Sequence, residues 1–357
     1  MNMNTNKNTT RTRTRSTLLP LVVAACSLAA CGDDSSTSDT PDSLTIVAYD
    51  SFTPPDGAFD AFTDETGIAV KVVAAGDAGE MVSKAALTAG NPEGDVMWGV
   101  DNTLLQRALD AGVFDPYSSR IDGIADDLRS ISDAVTPVDF GDVCVNYDVD
   151  YLEANDITPP TSLEDLTSPE YAELLVTEDP TTSSTGLAFM LATRVAFGDG
   201  WLDYWRSLRD NGLSVVSSWD DAYYASFTLH GGDRPLVVSY ATSPPAEMIF
   251  ADPPYPEGMP AVTGVATGTC FRQVEFAGVL AGSKHVGAAR RLVDYLAGET
   301  FQSRIAESLF VFPANTRVTP PESFEKYAPT IVDPYTMSPE EIATNRDTWL
   351  EEWTSMS

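Results

Sequence analysis

Two hydrophobic periods alternate along the chain from residue 44. Residues 44–49 alternate apolar and polar in the manner of a half-buried strand. Residues 58–66 space their apolar positions as a helix and stop before Gly67, and residues 68–73 return to the strand pattern. Strand, helix, strand is a βαβ unit. The pattern continues with a predicted helix over 80–89, a buried strand over 95–100 and a helix over 102–111, which together predict a parallel sheet with helical cover.

Residues 135–150 form a long extended run that can carry the chain into a second lobe. That lobe would hold a capped helix start at 162–166, a strand at 174–177, helices over 185–198 and 200–211, and a strand at 236–240. A second extended stretch, 269–280, leads to an amphipathic helix over 286–296 and reads as a return crossing. The block after the N-terminal region spans some 300 residues, large for one core, so the expectation is two lobes. Residues 44–138 and 272–312 would form the first and 139–271 the second. Residues 313–357 would follow as a C-terminal segment, its last helix opened by the Ser338-Pro339-Glu340 cap and its Trp349 and Trp353 packed on the lobes.

The N-terminus carries Lys7, Arg11, Arg13 and Arg15 and then an apolar run of about a dozen residues, too short to span a bilayer, which takes about 20. It closes on Leu28-Ala29-Ala30-Cys31-Gly32, which resembles a bacterial lipobox. The expectation is a signal over 1–30, cleavage before Cys31, acylation of that thiol, and attachment to the outer face of a membrane. An ordinary cleaved signal is the alternative. Residues 31–43 are small, polar and acidic, and read as a flexible tether.

The formal net charge is −32, and loss of the signal's four basic residues would take it to about −36. Such a surface repels nucleic acid and draws cations; it also serves solubility or salt tolerance, so it supports a cationic ligand only weakly. Besides Cys31, cleavage would leave only Cys144 and Cys270. Two cysteines in an oxidising compartment pair more often than not, and these two lie one on each predicted crossing, so a disulfide at the hinge is expected. With His230 and His285 as the only histidines, neither at zinc-site spacing, no metal site is expected.

Four loops carry polar and aromatic residues suited to a cleft. Tyr49-Asp50-Ser51-Phe52 follows the first strand at its carboxyl end, where open α/β sheets bind ligands, although Tyr49 could also serve edge packing. Asp179-Pro180-Thr181-Thr182-Ser183-Ser184-Thr185 feeds a helix whose free amides could seat a hydroxyl or an anion, or could be an ordinary cap. Trp219-Asp220-Asp221 with Tyr223 and Tyr224 offers rings and carboxylates for a flat cation, a tyrosine pair for ferric iron, or a buried helix face. Tyr240-Ala241-Thr242-Ser243-Pro244 ends a strand and opens a helix with the same mix of ring, hydroxyls and amides. A hydrolase is poorly supported: no G-x-S-x-G elbow is present, and His230-Gly231-Gly232-Asp233 reads as a turn.

At these loops the sequence resembles the thiamine-binding proteins of bacterial ABC importers, a branch of the two-lobed periplasmic binding proteins. The resemblance runs through Tyr49-Asp50-Ser51-Phe52, Gly99-Val100-Asp101-Asn102, Asp179-Pro180-Thr181-Thr182-Ser183-Ser184, Trp219-Asp220-Asp221 and Tyr240-Ala241-Thr242-Ser243-Pro244 to Phe312-Pro313-Ala314-Asn315 and the terminal helix. It implies a type II periplasmic-binding-protein fold (α/β, two extended hinge crossings) that binds thiamine or its phosphates without a cofactor. The protein would act as a monomer and deliver ligand to a permease and its ATPase subunits. The implied ligand contacts are Asp77, Ala78, Ser183, Ser184, Trp219 and the run Tyr240, Ala241, Thr242, Ser243, Pro244, with Tyr49 and Phe310 as rings of the wall. Two positions depart from the family: a tryptophan is missing where Thr53-Pro54-Pro55-Asp56 stands, and Ala246 replaces an aromatic residue. The alternative within binding proteins is ferric iron on Tyr223 and Tyr224; against it, adjacent side chains diverge and no histidine is seen to accompany them.

Overall fold

A computed structural model describes residues 40–356. The signal segment, Cys31 and the tether as far as residue 39 lie outside the described residues. No described helix is long and apolar enough to cross a membrane.

Among the described residues, ten strands make one sheet system: β1 Ser43–Ala48, β2 Ala69–Ala74, β3 Val96–Asp101, β4 Phe114–Asp115, β5 Thr136–Asp148, β6 Leu175–Glu178, β7 Ser214–Val216, β8 Leu236–Tyr240, β9 Thr263–Leu280 and β10 Phe312–Pro313. The main path runs β2-β1-β3-β9-β5-β8-β6-β7, with β4 beside β9 and β10 beside β5. At one end β1 lies parallel to β2 and β3, and at the other β6 lies parallel to β7 and β8, pairings that a tight turn cannot make and that the helical connections supply. Between them β5 and β9 run antiparallel to their neighbours.

Those two long strands are shared by the lobes. Thr136 through Val143 of β5 pair with Ala277 back to Phe271 of β9, which also flanks β3. Val145 through Asp148 pair with Ala266 back to Thr263, and β8 lies on the other edge. The register breaks between the two halves, so residues 267–270 of β9 bulge against Cys144. The expected disulfide closes there, joining Cys144 and Cys270 at a Cα separation of 4.1 Å, with both residues buried.

Local chemistry explains where the predicted helices start. The Asp77 carboxylate accepts the Ala78 amide and caps the helix Ala78–Leu87, which therefore begins two residues before the apolar period suggests. The Asp101 carboxylate accepts the amides of Thr103 and Leu104, holding residues 102–104 as a turn, so the next helix is shortened to Leu105–Asp110. The terminal helix Pro339–Thr354 is capped by Ser338 and touches both sides of the hinge. Its Trp353 meets Trp205 edge-on at 5.5 Å and carries Arg209 over its ring, while the same helix packs on Leu105–Asp110. A further helix, Glu299–Leu309, has no counterpart in the sequence reading; it ends at Phe310, which has a left-handed φ of 52°.

Candidate functional site

The carboxyl ends of β1 and β8, the start of the helices Ala78–Leu87, Ser184–Phe197 and Ser243–Phe250, and the turn at Trp219 converge on a cavity of about 640 Å³. Tyr49, Asp77, Ala78, Ser184, Trp219, Tyr240, Ser243 and Phe310 line it. Four of the predicted ligand residues are buried behind that wall. The Ser183 hydroxyl pairs with Thr185 Oγ1 at 3.0 Å, Ala241 packs on the disulfide, Thr242 Oγ1 donates to the Phe310 carbonyl, and Pro244 is buried in the helix start. Ser183 and Thr242 are the cap residues of two helices and Pro244 lies in a first turn, where only part of the circumference can face the cavity.

Tyr49 owes its position to a missing side chain. Gly99 sits in a bulge of β3 with φ of 90°, and a Cβ there would stand 2.2 Å from the Tyr49 ring. The ring lies in that space and its hydroxyl donates to Glu275 Oε2 at 3.1 Å. Opposite, the Trp219 indole stacks on Tyr223 with centroids 4.9 Å apart and planes at 15°, and its Nε1 donates to Ser239 Oγ at 3.0 Å. One flat face of Trp219 is thus braced and its orientation fixed.

Direct contacts close the cleft. The Trp219 amide donates to Asp77 Oδ2 at 3.1 Å, and Gln273 Nε2 bridges Asp101 Oδ2 at 2.5 Å and Ser184 Oγ at 3.2 Å. At the mouth the Phe250 and Phe310 rings meet edge-on at 5.1 Å, although Phe250 is 65% exposed. The two departures noted in the sequence open the wall at Thr53 and Ala246, both of which line the cavity; Tyr224, Phe250 and Tyr255 supply rings from elsewhere.

The electrostatics are one-sided. Asp50, Asp77, Asp220, Glu247, Asp252 and Glu275 line the cavity, and among the described residues that do so none is Lys or Arg. His230 is the one basic lining residue, and its Nε2 lies 3.0 Å from Glu247 Oε1. Burial pushes the Asp77 carboxyl up, while hydrogen bonds from the Trp219 amide, the Ser183 hydroxyl and the Ala78 amide pull it back. Burial raises Asp101 to about 6, and burial with the nearby Asp139 and Asp101 charges lifts Glu275 well above its usual range. Such a cavity suits a flat, singly positive organic ligand.

Sequence reasoning missed Glu275, Glu247, Phe250 and Tyr255. Glu275 did leave a signal: Gln273 and Glu275 fall on one face of an otherwise apolar strand, where a buried polar pair needs a reason. Contrary to the sequence expectation, a histidine accompanies the tyrosine pair. His230 packs against both Tyr223 and Tyr224 with centroids 5.3 Å apart, because the turn at Gly231 brings it back onto the π-helix Asp221–Ser226.

Residues 57–330 match the family described as bacterial extracellular solute-binding protein. A thiamine-binding periplasmic protein of Brucella abortus biovar 1 (strain 9-941) is 29% identical over 326 residues, covering 87% of this chain and 91% of the relative. A solved structure titled periplasmic thiamin binding protein superposes with a TM-score of 0.74 at 28% identity, over 88% of this chain and 96% of that one. The ferric binding protein from Campylobacter jejuni superposes with a TM-score of 0.69 over 88% and 99%, but at 16% identity the likeness is one of fold alone. Fold, cleft and family match agree: the chain belongs to the bacterial extracellular solute-binding proteins, a family of binding proteins rather than of enzymes.

Proposed function

We propose that this protein captures thiamine in the cleft between its lobes and hands it to the permease of an ABC importer. The observation that carries the reading is the pairing of a braced Trp219 face and the Tyr49 and Tyr240 rings with a lining of carboxylates that includes no Lys or Arg among the described residues. Thiamine carries one positive charge on a flat thiazolium ring that a methylene joins to a flat aminopyrimidine. Asp77 would take the aminopyrimidine, the rings would face the thiazolium, and the hydroxyls of Ser184 and Ser243 at two helix starts would take the alcohol tail. The name of the Brucella relative supports the same ligand.

Residues 44–138 with 272–312 would move as one body and 139–271 as the other, closing on the ligand by bending at β5 and β9. Acylated Cys31 would hold the monomer near its importer on the outer face of the membrane, through the tether of residues 31–43. Calorimetric titration of the purified protein with thiamine, its monophosphate and its diphosphate tests the reading. Thiamine should bind most tightly and the diphosphate least, since no cationic side chain of the lining answers the added charge. Absence of heat and of any thermal shift with all three would overturn it.

One observation favours a second reading, ferric iron on Tyr223, Tyr224, His230 and Glu247. Against it, the Tyr223 hydroxyl donates to Glu247 Oε1 at 2.7 Å, and burial together with the Glu247 charge raises both tyrosines, opposing the tyrosinates that ferric iron needs. A visible tyrosinate–iron band on addition of ferric salt would favour iron over thiamine.

A further inference from the structure

Beneath the cleft, two acidic side chains face each other across the shared strands. The register of β5 and β9 sets Asp139 directly opposite Glu275, so their side chains leave the same face of the ladder as neighbours. Asp139 is 1% exposed and Glu275 4%. Glu275 lines the cavity and accepts from the Tyr49 hydroxyl, whereas neither carboxylate oxygen of Asp139 has a hydrogen-bond partner among the described residues.

No positive charge answers them. The titratable groups that bear on Glu275 are Tyr49 after β1, Asp101 on β3, Asp139 on β5 and Asp77 at the start of the helix Ala78–Leu87, with Tyr240 of β8 alongside. The nearest cation along β9, Arg272, is engaged elsewhere: it forks onto Asp142 with contacts of 2.7 and 3.2 Å and lies over the Phe140 ring. Two like charges this close in a buried ladder repel strongly, and burial pushes both carboxyls well above their usual range.

We propose that Asp139 and Glu275 hold one proton between them in the ligand-free protein, and that a monocationic heterocycle seated against Glu275 displaces it to solvent. The inference rests on the reading of the cleft as a cation site and adds to it a specificity-determining pair. The ligand's fixed charge replaces the proton's. Capture of a cation is then tied to release of one proton, and affinity rises about tenfold per pH unit below the pair's apparent pKa. A neutral ligand of the same shape gains nothing from deprotonating the pair, so the floor of the cleft selects for charge as well as shape.

Calorimetric titration of the whole protein with thiamine, in buffers of different ionisation enthalpy and at several pH values, tests the pair. The expected result is about one proton released per thiamine bound and the tenfold rise per pH unit. The neutral analogue in which a thiophene replaces the thiazolium should bind with no proton release and a flat pH profile. Glu275→Gln should abolish both the release and the pH dependence, whereas Asp139→Asn, which removes the like charge but not the burial of Glu275, should move the pH dependence to lower pH while keeping cation affinity. Thiamine binding with no buffer-dependent heat, or with unchanged release in Glu275→Gln, would overturn the coupling and leave the capture reading standing. No thiamine binding at any pH would overturn both. The wild-type comparison decides without any variant.

Discussion

Gly79 and Thr182 approach each other across the cleft so closely that a methyl group at position 79 would stand 2.2 Å from the Thr182 carbonyl oxygen. Gly79 lies in the first turn of the helix Ala78–Leu87, and Thr182 in the loop before the helix Ser184–Phe197. The contact is backbone against backbone, with no flexible side chain to give way. It exists because the residue after Ala78 is glycine, at a helix position where alanine would otherwise be favoured by about 1 kcal/mol.

Gly79→Ala is therefore expected to hold the lobes apart while leaving the opened protein at least as stable as the wild type. Overpacking of this kind costs roughly 1–3 kcal/mol, which predicts a loss of ligand affinity of about five- to 150-fold. Small-angle scattering with saturating ligand should show a larger radius of gyration than the wild type under the same conditions. Unchanged affinity and radius would mean that the Thr182 loop moves aside at little cost.

Trp219 makes a second prediction, because its ring is fixed on one face by Tyr223 and at its edge by Ser239. Trp219→Ala should weaken thiamine binding by at least about 1 kcal/mol, the scale of a desolvated cation–π contact. Trp219→Phe keeps an aromatic face but loses the donor to Ser239, and should fall between the two. If the alanine variant binds as well as the wild type, the indole does not touch the ligand.

The sheet and its crossings were legible in the sequence for a definite reason. Parallel strands buried on both faces read as apolar runs, and β5 and the 269–280 part of β9 stood out because the helical period fails there, although β9 itself begins earlier, at Thr263. The disulfide followed from the two crossings plus cysteine count. Ser184 and Trp219 were legible because they sit in loops rich in hydroxyls and rings. Glu275 and Asp139 were not, since a carboxylate in a strand has meaning only once its cross-strand partner is known, and register is a tertiary fact. Thr242 and Ala241 illustrate the converse. They share a motif with Tyr240 and Ser243, but the chain passes there from a strand end through a cap into a helix, and successive side chains point in different directions.

The Cys144–Cys270 bond closes a sequence separation of 126 residues at the break in register between Val143 and Val145, where the two halves of the crossings meet. On the chain-entropy account, a loop of this size corresponds to roughly 4–5 kcal/mol of stability. Cys144→Ser with Cys270→Ser should lower the denaturant midpoint accordingly, and should change thiamine affinity little, since neither residue lines the cavity. A variant that is as stable as the oxidised wild type would show that the crossings are held by the β5–β9 pairing alone.

Asp101 sets the sign of a pH effect. Its carboxylate accepts hydrogen bonds from Thr103 Oγ1 at 2.7 Å and Gln273 Nε2 at 2.5 Å as well as two amides, yet burial outweighs them and raises it from 3.8 to about 6. A carboxyl raised on folding binds its proton more tightly in the folded state. Its contribution is complete below pH 3.8 and is lost as pH rises through about 6. The difference corresponds to about 3 kcal/mol, and burial of Asp139, Glu178 and Glu275 acts in the same direction. Denaturant midpoints of the ligand-free protein should therefore fall between pH 4 and pH 7. Asp101→Asn, which keeps an acceptor for Thr103 and Leu104 but cannot titrate, should show a shallower fall over the interval from 4 to 6. Identical slopes in the two proteins would mean that the four hydrogen bonds, and not burial, govern this carboxylate, and that the polar bridge from Asp101 through Gln273 to Ser184 stays charged at every pH the protein meets.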